Sequence, residues 1–117
     1  MTMATSSILR GQVYWVELDP VRGAEIAKTR PCIVLSTDEV NNYRRTAIVV
    51  PLTTSASPAV PPLLLSTPSM GTDSKARIEH IRAVDKSRFK ALIGEIGVED
   101  LSAVEESLRR ILRLPKQ

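Results

Sequence analysis

Aromatic side chains are scarce in this chain. Tyr14, Trp15, Tyr43 and Phe89 make up 3% of its 117 residues. Proteins that hold single strands by stacking successive bases need more platforms, so a surface built on stacking is disfavoured. Cysteine is scarcer. Cys32 is the single one, so no internal disulfide can form. Its place in the run CIVLS reads as a small buried apolar residue. The single histidine, His80, gives no zinc-type Cys/His spacing and no Cys–His or Ser–His–Asp pair with a marked nucleophile. No glycine-rich phosphate loop leads into Lys-Ser/Thr, and no carboxylate cluster of the metal-nuclease kind is present. No apolar run approaches the roughly 20 residues of a membrane span. Residues 1–7, MTMATSS, lack the basic start and apolar centre of a signal peptide. The expectation is a cytoplasmic protein with no membrane segment, metal or cofactor.

The rest is ordinary globular material, 43% hydrophobic and 25% charged. The length suits one domain over residues 1–117, with 1–8 as a frayed tail. Such a domain buries a small core, and dimerisation would help it. A net charge of +3 and a pI near 9.4 permit an anionic partner without demanding one.

Patterning predicts short strands and one clear helix. Val13–Leu18 alternates, with Val13 and Trp15 on one face, and Trp15 reads as core. Cys32–Ser36 reads as a buried strand, Thr46–Leu52 as another, with Pro51 at an edge or bulge. Asp38 begins a single helical turn. Leu63–Ser66 makes a short strand, and Thr67–Ser74, with Pro68 and Gly71, a turn. Lys75–Val84 alternates as one strand, placing Arg77 and Glu79 on one face and His80 on the other. Ala91–Ile93 adds a last strand. Glu99–Leu114 carries Leu101, Val104, Leu108, Ile111 and Leu112 on one helical stripe, with acids early and arginines late. Short strands, long loops and a terminal helix suggest a mainly-β fold, a small bent antiparallel barrel.

One junction stands out. The polar loop Val21–Thr29 empties through Arg30-Pro31 into the buried run that follows. Pro31 fixes its own φ and pushes Arg30 towards extended geometry. The guanidinium is therefore held at a strand mouth, where its planar fork suits a phosphate or carboxylate. On these residues alone it reads as a brace, paired with Glu25 or Glu79. Thr53 reads as a strand-end hydroxyl, and Arg77 with Glu79 as a solvated ion pair.

Three segments taken together resemble the MazF/PemK/Kid toxin family. The first is DPVRGAE followed by TRP, with Asp19, Pro20, Gly23, Glu25, Thr29, Arg30 and Pro31. The second is AIVVPLTTS, which ends on Thr53, Thr54 and Ser55. The third is RIEHIRAVD, with Glu79, Arg82 and Asp85. The resemblance runs from Arg10 to Leu114. It implies an SH3-like barrel with a C-terminal amphipathic helix, a homodimer, and metal-independent, sequence-selective cleavage of single-stranded RNA by 2′-OH attack. It also implies a cognate antitoxin with an acidic disordered tail. The residues it puts in catalysis are Arg30, Thr53, Glu25, Arg77 and Glu79; those it puts on the RNA are Lys28, Thr54, Ser55 and His80. Ile26, Lys28 and His80 depart from the family pattern, and these departures bear on which RNA sequence is preferred. Two alternatives are a CcdB-like gyrase-binding toxin acting through its terminal helix, and an inactive RNA-binding barrel.

Overall fold

The computed structural model describes residues 7–18 and 28–116. Asp19, Pro20, Gly23 and Glu25 of the first segment lie outside the described residues. The elements are β1 (Gln12–Glu17), β2 (Thr29–Val34), α1 (Asp38–Tyr43), β3 (Thr46–Thr54), β4 (Leu64–Ser66), β5 (Ser74–Arg77), β6 (Arg82–Asp85), β7 (Phe89–Glu95) and α2 (Val98–Leu112). Every ladder is antiparallel. The order is β4-β5-β3-β2-β1-β7, with β6 also on β3. The expected mainly-β architecture with a C-terminal helix is present. The sheet bends without closing, since the described pairings run from β4 to β7 and stop there.

β3 organises the sheet. Its first half, Thr46–Val49, pairs with Asp85–Arg82 of β6. Its last three residues, Leu52–Thr54, pair with Ala76–Ser74 of β5. Pro51 falls in the gap between these two ladders, where a missing N–H costs least. On the opposite side, Val49–Pro51 pair with Val34–Cys32.

The middle strands bury both faces. Val13, Ile33, Val50, Leu52, Ala76, Ile78 and Ile96 form one cluster, which α2 covers with Val104 and, more shallowly, Leu101, Leu108 and Ile111. Tyr14, Val16, Cys32, Val34, Val49 and Val84 form a second, capped by Phe89. Tyr14 and Phe89 meet edge to face at 5.3 Å. Two-sided burial explains why Cys32–Val34 runs apolar without alternation. Ile8, within the expected tail, packs against the second cluster.

Four expectations change. The segment 75–84 is not one strand: β5 ends at Arg77, a 3-10 turn occupies Ile78–His80, and β6 starts at Arg82. The chain must leave one half of β3 and re-pair with the other, and wholly buried Ile78 plugs that crossing. Arg77 and Glu79 therefore do not share a strand face. Trp15 is not core but 42% exposed, because Val13, Tyr14 and Val16 already supply both buried clusters. β2 begins at Thr29 rather than Cys32, so Arg30-Pro31 lies within the strand and not merely before it. The helix ends at Leu112, where Arg113 turns left-handed (φ 58°) ahead of Pro115, and Leu112 is 53% exposed.

Candidate nucleic-acid cleavage site

The register explains how two distant segments meet. β2 and β3 run antiparallel with Cys32 opposite Pro51. Beyond that last pair β2 carries Pro31 and Arg30 and β3 carries Leu52 and Thr53, and all four line one cleft. On its other side Arg30 pairs with Val16 of β1. Thr53 in turn pairs with Lys75 of β5. Arg30, Thr53 and Lys75 thus lie on three neighbouring strands, β2, β3 and β5.

A cleft of about 570 Å³ has Arg30 and Thr53, but not Lys75, in its wall. Its polar lining is Lys28, Thr29, Arg30, Thr53, Thr54 and Ser74. Its apolar lining is Trp15, Pro31, Leu52, Met70 and Ile93. A pocket with an apolar wall and a few convergent polar groups is the usual form of a binding site. Here the charged groups in the wall are both cations, so the cleft suits an anion carrying an apolar or aromatic body.

Arg30 is half-buried, and its backbone is anchored from within the strand. The Cys32 thiol donates to the Arg30 carbonyl at 3.6 Å. Burial pushes the Cys32 thiol up to about 12, while the nearby Arg82 and Arg30 charges draw it back only in part. Cys32 is therefore a packed thiol, not a nucleophile. The Arg30 side chain makes no ion pair or hydrogen bond with a described residue; the ion pairs at 2.5 Å are Arg10–Glu105 and Arg109–Glu106, both involving α2. The brace to Glu79 expected from the residues alone is not formed. A guanidinium in a cleft wall with no partner among the described residues is available to a ligand.

Of the residues singled out by sequence, the cleft brings together Lys28, Arg30, Thr53 and Thr54. Ser55 follows immediately, with its carbonyl and hydroxyl already engaged by Lys75 and the Ser57 N–H. Arg77, Glu79 and His80 are exposed and do not line it. Glu25 lies outside the described residues. Sequence reasoning missed Trp15, Met70, Ser74 and Ile93 in the walls. Period-two alternation placed Trp15 inside, and no local signal corrects that when both faces of a strand are buried. Among the described residues, no three His, Cys, Asp or Glu side chains converge to hold a metal ion, and no helix is long and apolar enough to cross a membrane.

Comparison with known proteins places this geometry. Residues 9–112 match the family model described as PemK-like, MazF-like toxin of type II toxin-antitoxin system. The chain is 34% identical over 113 residues to the endoribonuclease MazF9 of Mycobacterium tuberculosis, spanning 90% of this chain and 96% of that one. It is 32% identical over 111 residues to the endoribonuclease EndoA of Bacillus subtilis, spanning 92% and 96%. Its fold is shared by a mycobacterial endoribonuclease solved in complex with its cognate antitoxin, at a TM-score of 0.75 and 23% identity, over 97% of this chain and 100% of that one.

Proposed function

Since this chain belongs to the PemK-like, MazF-like toxin family of type II toxin–antitoxin systems, we propose that it is an endoribonuclease that cuts single-stranded RNA in the Arg30–Thr53 cleft. The observation that carries the reading is a cationic cleft whose wall holds both the Thr53 hydroxyl and the Arg30 guanidinium, which has no side-chain partner among the described residues.

The chemistry needs no cofactor. The ribose 2′-oxygen attacks the adjacent phosphorus, a new O2′–P bond forms, and the P–O5′ bond breaks. The 2′-OH proton goes to an acceptor, and the departing 5′-oxygen takes up a proton. The products are a 2′,3′-cyclic phosphate and a 5′-OH. Charge grows on the non-bridging oxygens on the way, so fixed donors aimed there do most of the work. The Arg30 fork spans two such oxygens, and the Thr53 hydroxyl donates to one. Guanidinium is a poor proton acceptor. Glu25, five residues before Arg30 in the sequence, is the carboxylate we assign to that task. Lys28 and Thr54 hold the flanking backbone. Trp15 and Ile93 offer an apolar wall for a neighbouring base and so contribute to sequence selectivity. Arg77, Glu79 and His80 lie outside the cleft and have no part in bond breaking in this scheme.

The protein acts as a homodimer in the cytoplasm, and a cognate antitoxin neutralises it. An acidic extended tail would occupy the same cationic cleft in place of RNA.

The test uses purified protein, EDTA and an RNA of mixed sequence. Cleavage with 5′-OH ends is expected. Arg30→Ala should lower the rate by about 10²–10³, the usual loss of a transition-state donor, while circular dichroism stays native. RNA left intact over a wide range of sequences would sink the reading.

A further inference from the structure

Thr53 has a neighbour on β5 that the cleavage chemistry does not use. Lys75, across from Thr53, is 7% exposed. Lysine is almost never so buried without a partner. Its ammonium donates to the Ser55 carbonyl at 2.6 Å. The same Ser55 donates its N–H to the Asp73 carbonyl at 3.1 Å, and its hydroxyl accepts the Ser57 N–H at 3.1 Å. Ser55 is therefore held through three of its groups, and two of the ties come from the β5 side.

Position makes this matter. β3 ends at Thr54, and a Ser/Pro-rich stretch follows at once. A strand end that runs into such a loop opens easily unless something fastens it. Thr53 is one residue from that end, and its hydroxyl must be held to within a fraction of an ångström to serve a transition state. A side chain needed only to fill space beside Thr53 would be apolar, because burying an ammonium is costly. A lysine there, aimed at a single backbone carbonyl, fastens the segment by a charge-assisted bond.

We infer that Lys75 is a positioning residue: it clamps the end of β3 through the Ser55 carbonyl and thereby fixes the Thr53 hydroxyl in the cleft. This rests on the ribonuclease reading for its catalytic consequence, though the clamp itself does not.

Two measurements on the full chain test it. Amide exchange in the wild-type protein should show Ser55 and Ser57 protected to a degree comparable with β3, and Lys75→Met should expose them while β1 and β2 stay protected. Steady-state cleavage by Lys75→Met should show kcat reduced about tenfold or more with KM within about threefold, the pattern of a lost transition-state contact. Lys75→Arg, which keeps a charged donor, should recover kcat to within about threefold. Unprotected Ser55 and Ser57 amides in the wild type overturn the clamp without any variant. Wild-type kcat in Lys75→Met, or a loss that Lys75→Arg does not restore, overturns the positioning role. A wild-type protein with protected amides that cleaves no RNA overturns the ribonuclease reading and leaves the clamp standing.

Discussion

Cys32 shows what a single residue's surroundings decide. Its thiol is wholly buried and pushed from 9.0 up to about 12. Each unit lowers the thiolate fraction tenfold, so at pH 8 the native thiol carries about a thousandth of the usual thiolate. Ellman's reagent should label it rapidly in denaturant and only at the rate of opening in the native protein; brisk native labelling would contradict the burial. The same shift has a sign for stability. The unfolded thiol loses its proton from about pH 9 and the folded one from about pH 12, so the unfolded state binds fewer protons between them. Stability contributed by Cys32 is intact below pH 9 and falls as pH rises towards 12. This burial was legible in the sequence, since a cysteine inside CIVLS has only apolar company. Arg30 was legible too, because Pro31 constrains it whatever the fold. Trp15 and Lys75 were not. Their roles come from strands brought together across long separations, and nothing within a few residues of either position records which strand arrives beside it.

Elements divide in the same way. α2 could be read directly, because its apolar stripe and charge order are local properties, and only its last turn was overdrawn. β1, β2 and β3 were found with shifted ends. The break at Ile78–His80 was hidden, since the alternation of Lys75–Val84 satisfies a continuous strand equally well. What forces the turn is the switch of partners along β3, a property of the sheet and not of the segment. Ile78 anchors that turn: it is wholly buried in the cluster beneath α2, and its N–H donates to the Leu63 carbonyl at 2.9 Å. Ile78→Ala should therefore cost about 2–5 kcal/mol in urea unfolding, the range for deleting a buried aliphatic side chain. A continuous strand with Ile78 on an accessible face would give well under 1 kcal/mol. The same experiment distinguishes fold from function, because Glu79→Ala, exposed on the same turn, should leave both stability and cleavage nearly unchanged.

At the scale of the whole molecule the question is whether the net charge or the placement of a few cations draws RNA in. A net charge of +3 is modest, and four acids lie on α2 alone, Glu99, Asp100, Glu105 and Glu106. The cleft, by contrast, holds Lys28 and Arg30 in its wall with no carboxylate beside them among its lining residues. Counterion release tells the two cases apart. For single strands the slope of log K against log salt is about −0.7 per phosphate neutralised, so two cleft contacts give a slope of about −1.4. Binding measured with a 2′-O-methyl RNA, which cannot undergo the cleavage, should show Lys28→Ala flattening the slope by about 0.7. Arg110→Ala, exposed on α2 and absent from the cleft wall, removes the same unit of charge and should leave the slope unchanged. Equal effects from the two variants would mean that RNA is attracted by overall charge, and the cleft would lose its standing as the place where the backbone is held. A change confined to Lys28→Ala would place the RNA backbone in the cleft wall that Lys28 shares with Arg30.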